Sequence, residues 1–447
     1  MKTYSFPRGG IFLEDATVPA GDDFTVAFLP VLSIIPLARR PGRTARALVS
    51  VGDMVREGML VGTGEGGSAN VHAAVPGRVV DKIDWDDGEG RSCSGLLVRT
   101  EGDFDRLGTN KEEALPEVFP EGPDYEKLCR VLDECGIVQM EGSGRMLSRI
   151  LAEFLDSPKN DSPKDGPEDT LVVRCVFDDP WLAADRVLCA RRPDAVVGGA
   201  AFIAAALPGI KRLVFAVSRN AVDLGRTLLE QGRRGGIPCG LVVTGDRYPQ
   251  RNRRELELIL DRYGREERLD LGKFLVLGPA TLAAAYDAVR FRRPILERYV
   301  AIGGSAVLNP GVFRARIGLR IGDLFKECGG FVPGDRHIVS GSPFFGEKVL
   351  NLNEPVTKTS FAFAALRESQ AGKRKVGDCI ACGECSGVCP VGLDPEELYK
   401  TAMTSTEGPA SHPGFLECHG CACCDAVCPS RIPLADLISG ARGDCRG

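Results

Sequence analysis

No run of apolar residues in this 447-residue chain reaches the roughly 18 that a membrane-spanning helix needs; stretches such as Leu29 to Pro36 and Val196 to Leu207 stop well short. The opening Met1-Lys2-Thr3 starts no secretion signal, so the expectation is a cytosolic chain, or one docked peripherally on something that spans. Positive charge is also lacking. With 26% charged residues and a net charge of −5, there is no global field to hold a nucleic-acid backbone, and nucleic acid is not an expected partner. Aromatic residues are lean at 6%, whereas the 54 glycines make up about 12% of the chain against a typical ~7%. Short strands and many turns follow, in a loop-rich mixed α/β protein. The 43% of apolar residues is enough for a core in each of about three units.

Cysteine is abundant, and unevenly placed. Ten of the seventeen lie within residues 379 to 447. In a large chain without a secretion signal, such clustering points to a metal rather than to cross-links. The run Cys379-Ile-Ala-Cys382-Gly-Glu-Cys385-Ser-Gly-Val-Cys389-Pro390 reads C-x2-C-x2-C-x3-C-P, and Cys418 to Pro429 repeats it. Three thiolates two residues apart wrap a tight loop around three irons of a cubane. The fourth, in two-cluster ferredoxins, serves the partner cluster. This assigns Cys379, Cys382, Cys385 and Cys428 to one [4Fe–4S] cluster, and Cys389, Cys418, Cys421 and Cys424 to the other. A pair of zinc sites is the bland alternative, but it leaves the third cysteine and the Cys-Pro step of each run without a role. Cys423 and Cys445 are spare, and His419 reads as a solvated loop residue. Asp394-Pro395-Glu396-Glu397 has the form of a helix start, so a helical dicluster module is expected.

Nearer the start, Leu48 to Val61 alternates apolar residues around Gly-Asp and Glu-Gly turns, and Val71 to Val80 repeats strand, Pro-Gly turn, strand. Together they resemble the barrel-sandwich hybrid of biotinyl and lipoyl domains. Those carry a cofactor on a tip lysine, and Glu65 to His72 contains none, which leaves a docking or scaffolding role. His72 reads as structural. Between about 120 and 270, a helical face of Met146, Leu147, Ile150, Leu151, Phe154 and Leu155 precedes strand-like runs at Leu171 to Phe177, Arg212 to Ser218 and Gly240 to Thr244. That alternation argues for an α/β unit with a mostly parallel sheet, interrupted by a mobile polar insert at residues 156–169. Glu141-Gly142-Ser143-Gly144 ahead of the helix is a short loop that could present backbone N–H groups to a phosphate. Beyond 272, a strand, a helix and further short elements to Gly329-Gly330 suggest a small β-grasp unit, with Lys358 as a basic dock or a solvated charge.

This succession resembles the RnfC family of the Rnf ion-translocating electron-transport complexes, relatives of the flavin subunit of respiratory complex I. The points of likeness are Phe6-Pro7-Arg8-Gly9-Gly10-Ile11, Val51-Gly52-Asp53, Pro76-Gly77, Ser340 to Gly346, Pro355-Val356-Thr357-Lys358-Thr359 and both cysteine runs. The resemblance implies four parts: a lipoyl-like barrel-sandwich hybrid over 1–110, and a Rossmann-like α/β domain over 120–272. A β-grasp (SLBB-like) unit over 273–365 and a two-cluster ferredoxin over 370–440 follow. It also implies a peripheral subunit on the cytoplasmic face of a bacterial inner membrane, working with other subunits of a membrane complex, and FMN and NADH held by the loop containing Gly142 and Gly144.

Three motifs depart from the family pattern. The loop G-x-G-G-A-x-F-P is Gly142-Ser143-Gly144-Arg145-Met146-Leu147-Ser148 here, without the aromatic or the proline. The run N-A-E-x-E-P is Arg174 to Pro180, and Y-P-x-G-x-E is Tyr248 to Arg253. Three losses in one site point to an electron carrier with no catalytic residues of its own. Electrons would pass through two [4Fe–4S] clusters between soluble ferredoxin or flavodoxin and membrane partners. The alternative is an NADH-oxidising flavoprotein that still holds FMN at Gly142 and Gly144.

Overall fold

The computed structural model describes residues 2–19, 21–38, 44–86, 92–104, 124–157, 168–368, 376–404 and 412–443. Most of the expected mobile insert, and Cys445, lie outside them. Leu32–Ala38, Ser92–Thr100, Gly77–Asp86 and Met54–Val55 form an antiparallel sheet, which closes over a second sheet of Ala45–Ala47, Leu60–Gly64 and Val71–His72. Alternation does the work here: Leu96 and Val98 point inward with Ile35, Val61, Val75 and Val79, all fully buried, while Arg99 faces water. This is the expected barrel-sandwich hybrid.

The α/β unit is a five-stranded parallel sheet in the order Thr3–Tyr4, Cys239–Thr244, Ile210–Ser218, Glu168–Cys175, Leu271–Leu277. Its central strands carry the apolar runs Leu171 to Val173 and Leu213 to Val217 because both faces are covered. Leu171, Val173, Phe215 and Val217 pack towards the helices Pro193–Ala206 and Pro279–Phe291, whereas Val172, Val214 and Val242 pack on Leu256, Ile259 and Leu260 of the helix Arg253–Glu267. The first two helices cross closely at Gly199, where a Cβ would stand 2.0 Å from the Leu282 carbonyl oxygen.

A six-stranded mixed sheet follows, in the order Glu347–Lys348, Arg336–Ser340, Ala362–Arg367, Glu297–Gly303, Gly311–Arg316, Thr25–Val26. Two boundaries drawn from the sequence need correction. Leu271–Leu277 pairs with Glu168–Cys175, so it and the helix after it belong to the α/β unit rather than to a β-grasp unit starting at 273. The two opening strands pair outside the barrel: Thr3–Tyr4 edges the parallel sheet and Thr25–Val26 edges the mixed one. In that mixed unit, Asp323 to Phe325 lie in the helix Ile321–Glu327, which buries Leu324 and Phe325.

Two half-buried cations fasten the barrel to the body. Arg316 donates to the carboxylate of Glu57, itself 1% exposed, and to the Ala74 carbonyl at 3.2 Å. Lys358 is neither a dock nor solvated: its ammonium donates to the carbonyls of Asn70 and Gly136, both at 2.7 Å. Burial pushes its pKa down to about 8. It joins the barrel tip to the turn after the helix Tyr125–Glu134.

Candidate functional site

The cysteine-rich segment folds into short helices around Leu398, Phe415, Ile432, Leu434 and Ile438. Asp394 starts the helix Pro395–Thr404 as its sequence foretells, accepting from the N–H groups of Glu396 at 3.0 Å and Glu397 at 3.3 Å. Both cysteine runs take the same path. Ala381 and Gly383 flank Cys382 with φ of 52° and 75°, and Gly420 and Ala422 flank Cys421 with φ of 64° and 57°. A left-handed alanine costs about 1–2 kcal/mol, so its recurrence in both loops marks a curvature that the loop must keep. The curvature turns three sulfurs of each run inward.

Two separate cavities result. Cys379, Cys382, Cys385 and Cys428 line one, with Ile432 and Leu434. Cys389, Cys418, Cys421 and Cys424 line the other, together with Cys423. Each cavity thus takes three cysteines from one run and the last cysteine of the other. Four cysteines of the assigned set line each cavity, among otherwise mostly apolar residues. Backbone donors are aimed at two of these sulfurs, Leu393 N–H at Cys389 (3.3 Å) and Gly420 N–H at Cys418 (3.5 Å).

The two cavities face different surroundings. The first lies at the surface, where Cys382 is exposed and the neighbouring Ile380 is 66% exposed. The second faces the body of the protein. Gly10 N–H donates to the Val388 carbonyl at 2.8 Å, and Arg8 reaches the Val391 carbonyl. His419 is not a solvated loop residue: its Nδ1 lies 3.1 Å from Oε1 of Glu255, which is 2% exposed in the first turn of the helix Arg253–Glu267. Tyr248 meets Phe344 edge-on and lies parallel to Phe345. Its hydroxyl pKa is pushed up by burial and then by the nearby thiols of Cys421 and Cys423.

Behind Tyr248 lies the crevice at the carboxyl ends of Glu168–Cys175 and Leu271–Leu277. There the strand order reverses, the usual place for a nucleotide in an open α/β sheet. It is crowded with carboxylates. Asp178, Asp179 and Asp185 are each no more than 5% exposed, and burial raises Asp178 to about 7. Arg174 points its guanidinium at the carbonyls of Glu141 (3.4 Å) and Arg251 (3.3 Å). Glu141 accepts from the Thr281 N–H at 2.9 Å and from the Thr281 hydroxyl. It thereby caps the helix Pro279–Phe291, whose end a phosphate would seek.

Gly142 and Gly144 do not face this crevice. They line a cavity between the barrel tip and Thr357-Lys358-Thr359, with His72 beside them. Arg145 turns outward to pair with Glu153. These residues do not fit a flavin or nicotinamide nucleotide at the head of the sheet. The sequence gives no role to the Glu141 side chain, and nothing in it singles out Glu255. The signal for Glu141 was its place directly ahead of the two glycines; Glu255 gave none, because its partner lies far along the chain.

Comparison with known proteins bears on the whole chain. Residues 7–102 match the RnfC barrel sandwich hybrid domain and residues 299–344 match the SLBB domain. The C subunit of the ion-translocating oxidoreductase complex of Rhodobacter capsulatus is 28% identical over 421 residues, covering 93% of this chain and 78% of that one. The C subunit of the proton-translocating ferredoxin:NAD(+) oxidoreductase complex of Clostridium ljungdahlii is 27% identical, covering 88% and 83%. For the Na(+)-translocating counterpart of Acetobacterium woodii the figures are 27%, 82% and 80%. A chain of an NAD+-reducing [NiFe]-hydrogenase superposes with a TM-score of 0.47 at 16% identity, covering 72% of this chain and 62% of its own, less than two thirds of its length.

Proposed function

Taking the chain as an RnfC-family protein, which its domain matches and its relatives support, we propose that it is a peripheral electron-transfer subunit of a membrane-bound, ion-translocating oxidoreductase complex. Cys379, Cys382, Cys385 and Cys428 would hold one [4Fe–4S] cluster, and Cys389, Cys418, Cys421 and Cys424 the other. Bound there, the clusters would supply one-electron transfer between a soluble ferredoxin or flavodoxin and the membrane partners, with no bond made or broken. The crossed lining of the two cavities carries this reading.

The chain's own residues set the conditions. The N–H donors on Cys389 and Cys418 stabilise negative charge on sulfur and so raise the potential on the inner side. Exposed Cys382 and Ile380 offer the outer cavity to a partner, while Gly9, Gly10 and His419 bind the inner one to the body. Among the described residues no helix is long and apolar enough to cross a membrane, which is compatible with docking on the cytoplasmic face of the inner membrane through other subunits. The flavoprotein alternative would place FMN on Gly142 and Gly144, which line a different cavity from the crevice.

Iron, zinc and flavin measured on one anaerobic preparation test the reading. About eight irons per chain, little zinc, and paramagnetic signals after dithionite are expected. Zinc in place of iron, or a protein silent after reduction, refutes it.

A further inference from the structure

The crevice at the switch point of the parallel sheet has both parts of a phosphate seat, and its own chain occupies one of them. The helix Pro279–Phe291 begins there, and its free N–H groups attract an anion. Thr281 gives both its N–H and its hydroxyl to the Glu141 carboxylate. The fit depends on Gly278, where a Cβ would stand 2.3 Å from the carboxyl carbon of Glu141. The second part, the N–H groups of the glycine loop, is spent within the loop: Gly144 N–H donates to the Gln139 carbonyl at 3.1 Å and Arg145 N–H to the Ser143 hydroxyl at 3.3 Å, while Gly142, Ser143 and Gly144 line the cavity beside His72 and Thr359. Around the seat, Asp178 keeps a buried carboxylate oxygen without a hydrogen-bond donor among the described residues, and that of Asp185 has only the Arg298 guanidinium 3.9 Å away.

We propose that Glu141 is a tethered anion that occupies the phosphate position of this crevice and thereby excludes flavin and nicotinamide nucleotides from it. The inference deepens the reading of the chain as a carrier without hydride chemistry and rests on it only for what that exclusion achieves. An electron entering the cysteine module then meets no two-electron centre in the α/β unit, and the sheet serves as a platform. The carboxylate is held by a charge-assisted pair of hydrogen bonds, which a free phosphate displaces only by leaving Glu141 unpaired in a buried site.

The test is titration of the full-length, iron-loaded chain with FMN, followed by quenching of flavin fluorescence, with riboflavin as the probe that lacks phosphate. The wild-type chain is expected to show no saturable binding. Glu141→Gly opens the seat and is expected to bind FMN at least 100-fold more tightly than the wild type, with no comparable gain for riboflavin. Should Glu141→Gly fail to fold, Glu141→Gln keeps the side-chain volume and a neutral bond to Thr281 that a phosphate dianion displaces, and a gain of about tenfold is expected. Saturable FMN binding by the wild type, a gain shared equally by riboflavin, or no gain in a folded variant overturns the proposal. Iron content and the reduced spectrum are recorded on the same samples, so the inference can fail while the cluster reading stands.

Discussion

Gly9 lies flat against the backbone of Cys389: a Cβ on Gly9 would stand 2.5 Å from the Cys389 carbonyl oxygen and 2.7 Å from that of Val388. Its φ of +67° also favours glycine. Gly9→Ala is therefore expected to lift the cysteine module from the body, at a cost of at least about 2 kcal/mol. Hydrogen exchange of the amides from Val388 to Leu393 should rise, while those of the barrel stay as they were. Unchanged exchange in that segment would show that the contact holds nothing.

The crossed lining of the cavities makes a prediction about pairs of substitutions. Cys428→Ser and Cys382→Ser remove thiols from the same cavity, so the double variant should lose no more iron than the worse single one. Cys428→Ser with Cys421→Ser strikes both cavities, and iron should fall from about eight per chain towards none. Iron counts that instead follow the linear runs, with Cys428 grouping with Cys421, would refute the crossing.

Lys358 satisfies two carbonyls that no other described donor reaches in the hydrogen-bond pattern, one on each side of the seam between barrel and body. Lys358→Met keeps the stem and removes both bonds. The expected loss is about 2–6 kcal/mol, at roughly 1–3 for each of the two orphaned carbonyls. Urea unfolding should show a lower midpoint with an unchanged slope. A midpoint within error of the wild type would mean that the seam is held elsewhere.

His72 gives the acid limb of stability its sign. Burial first, and the Lys358 charge second, push its folded pKa down to about 3 from 6.5. The unfolded chain therefore binds a proton that the folded one refuses, so stability is full above about 6.5 and declines as pH falls towards 3. Between pH 7 and pH 5 this one residue should cost about 2 kcal/mol. In His72→Gln, the fall measured over that interval should be shallower by about that amount; an identical fall in both proteins would remove His72 as the cause.

Much of the site was legible because its information is local. The cysteine spacing and the Asp394 helix start are each written within a dozen residues. What could not be read depends on partners far along the chain. Two-residue strands such as Thr3–Tyr4 and Thr25–Val26 carry no periodicity of their own; they form because a sheet built elsewhere leaves an edge open. Lys358 and His419 looked solvated because a charge in isolation belongs in water, and only the fold supplies Asn70, Gly136 and Glu255. The boundary at 272 failed for the same reason: Leu271–Leu277 reads as the start of something new, yet it returns to pair beside the first strand of the α/β sheet.

The opening residues have a practical consequence for anyone dividing the gene. Residues 3–26 lend an edge to two sheets whose remaining strands begin more than a hundred positions later. They also press Gly9 and Gly10 onto the cysteine module. A fragment that starts after the barrel, cloned for the α/β unit or the ferredoxin alone, leaves behind a lining that each was built around. Its insolubility would report on a missing thread, not on a domain unable to fold.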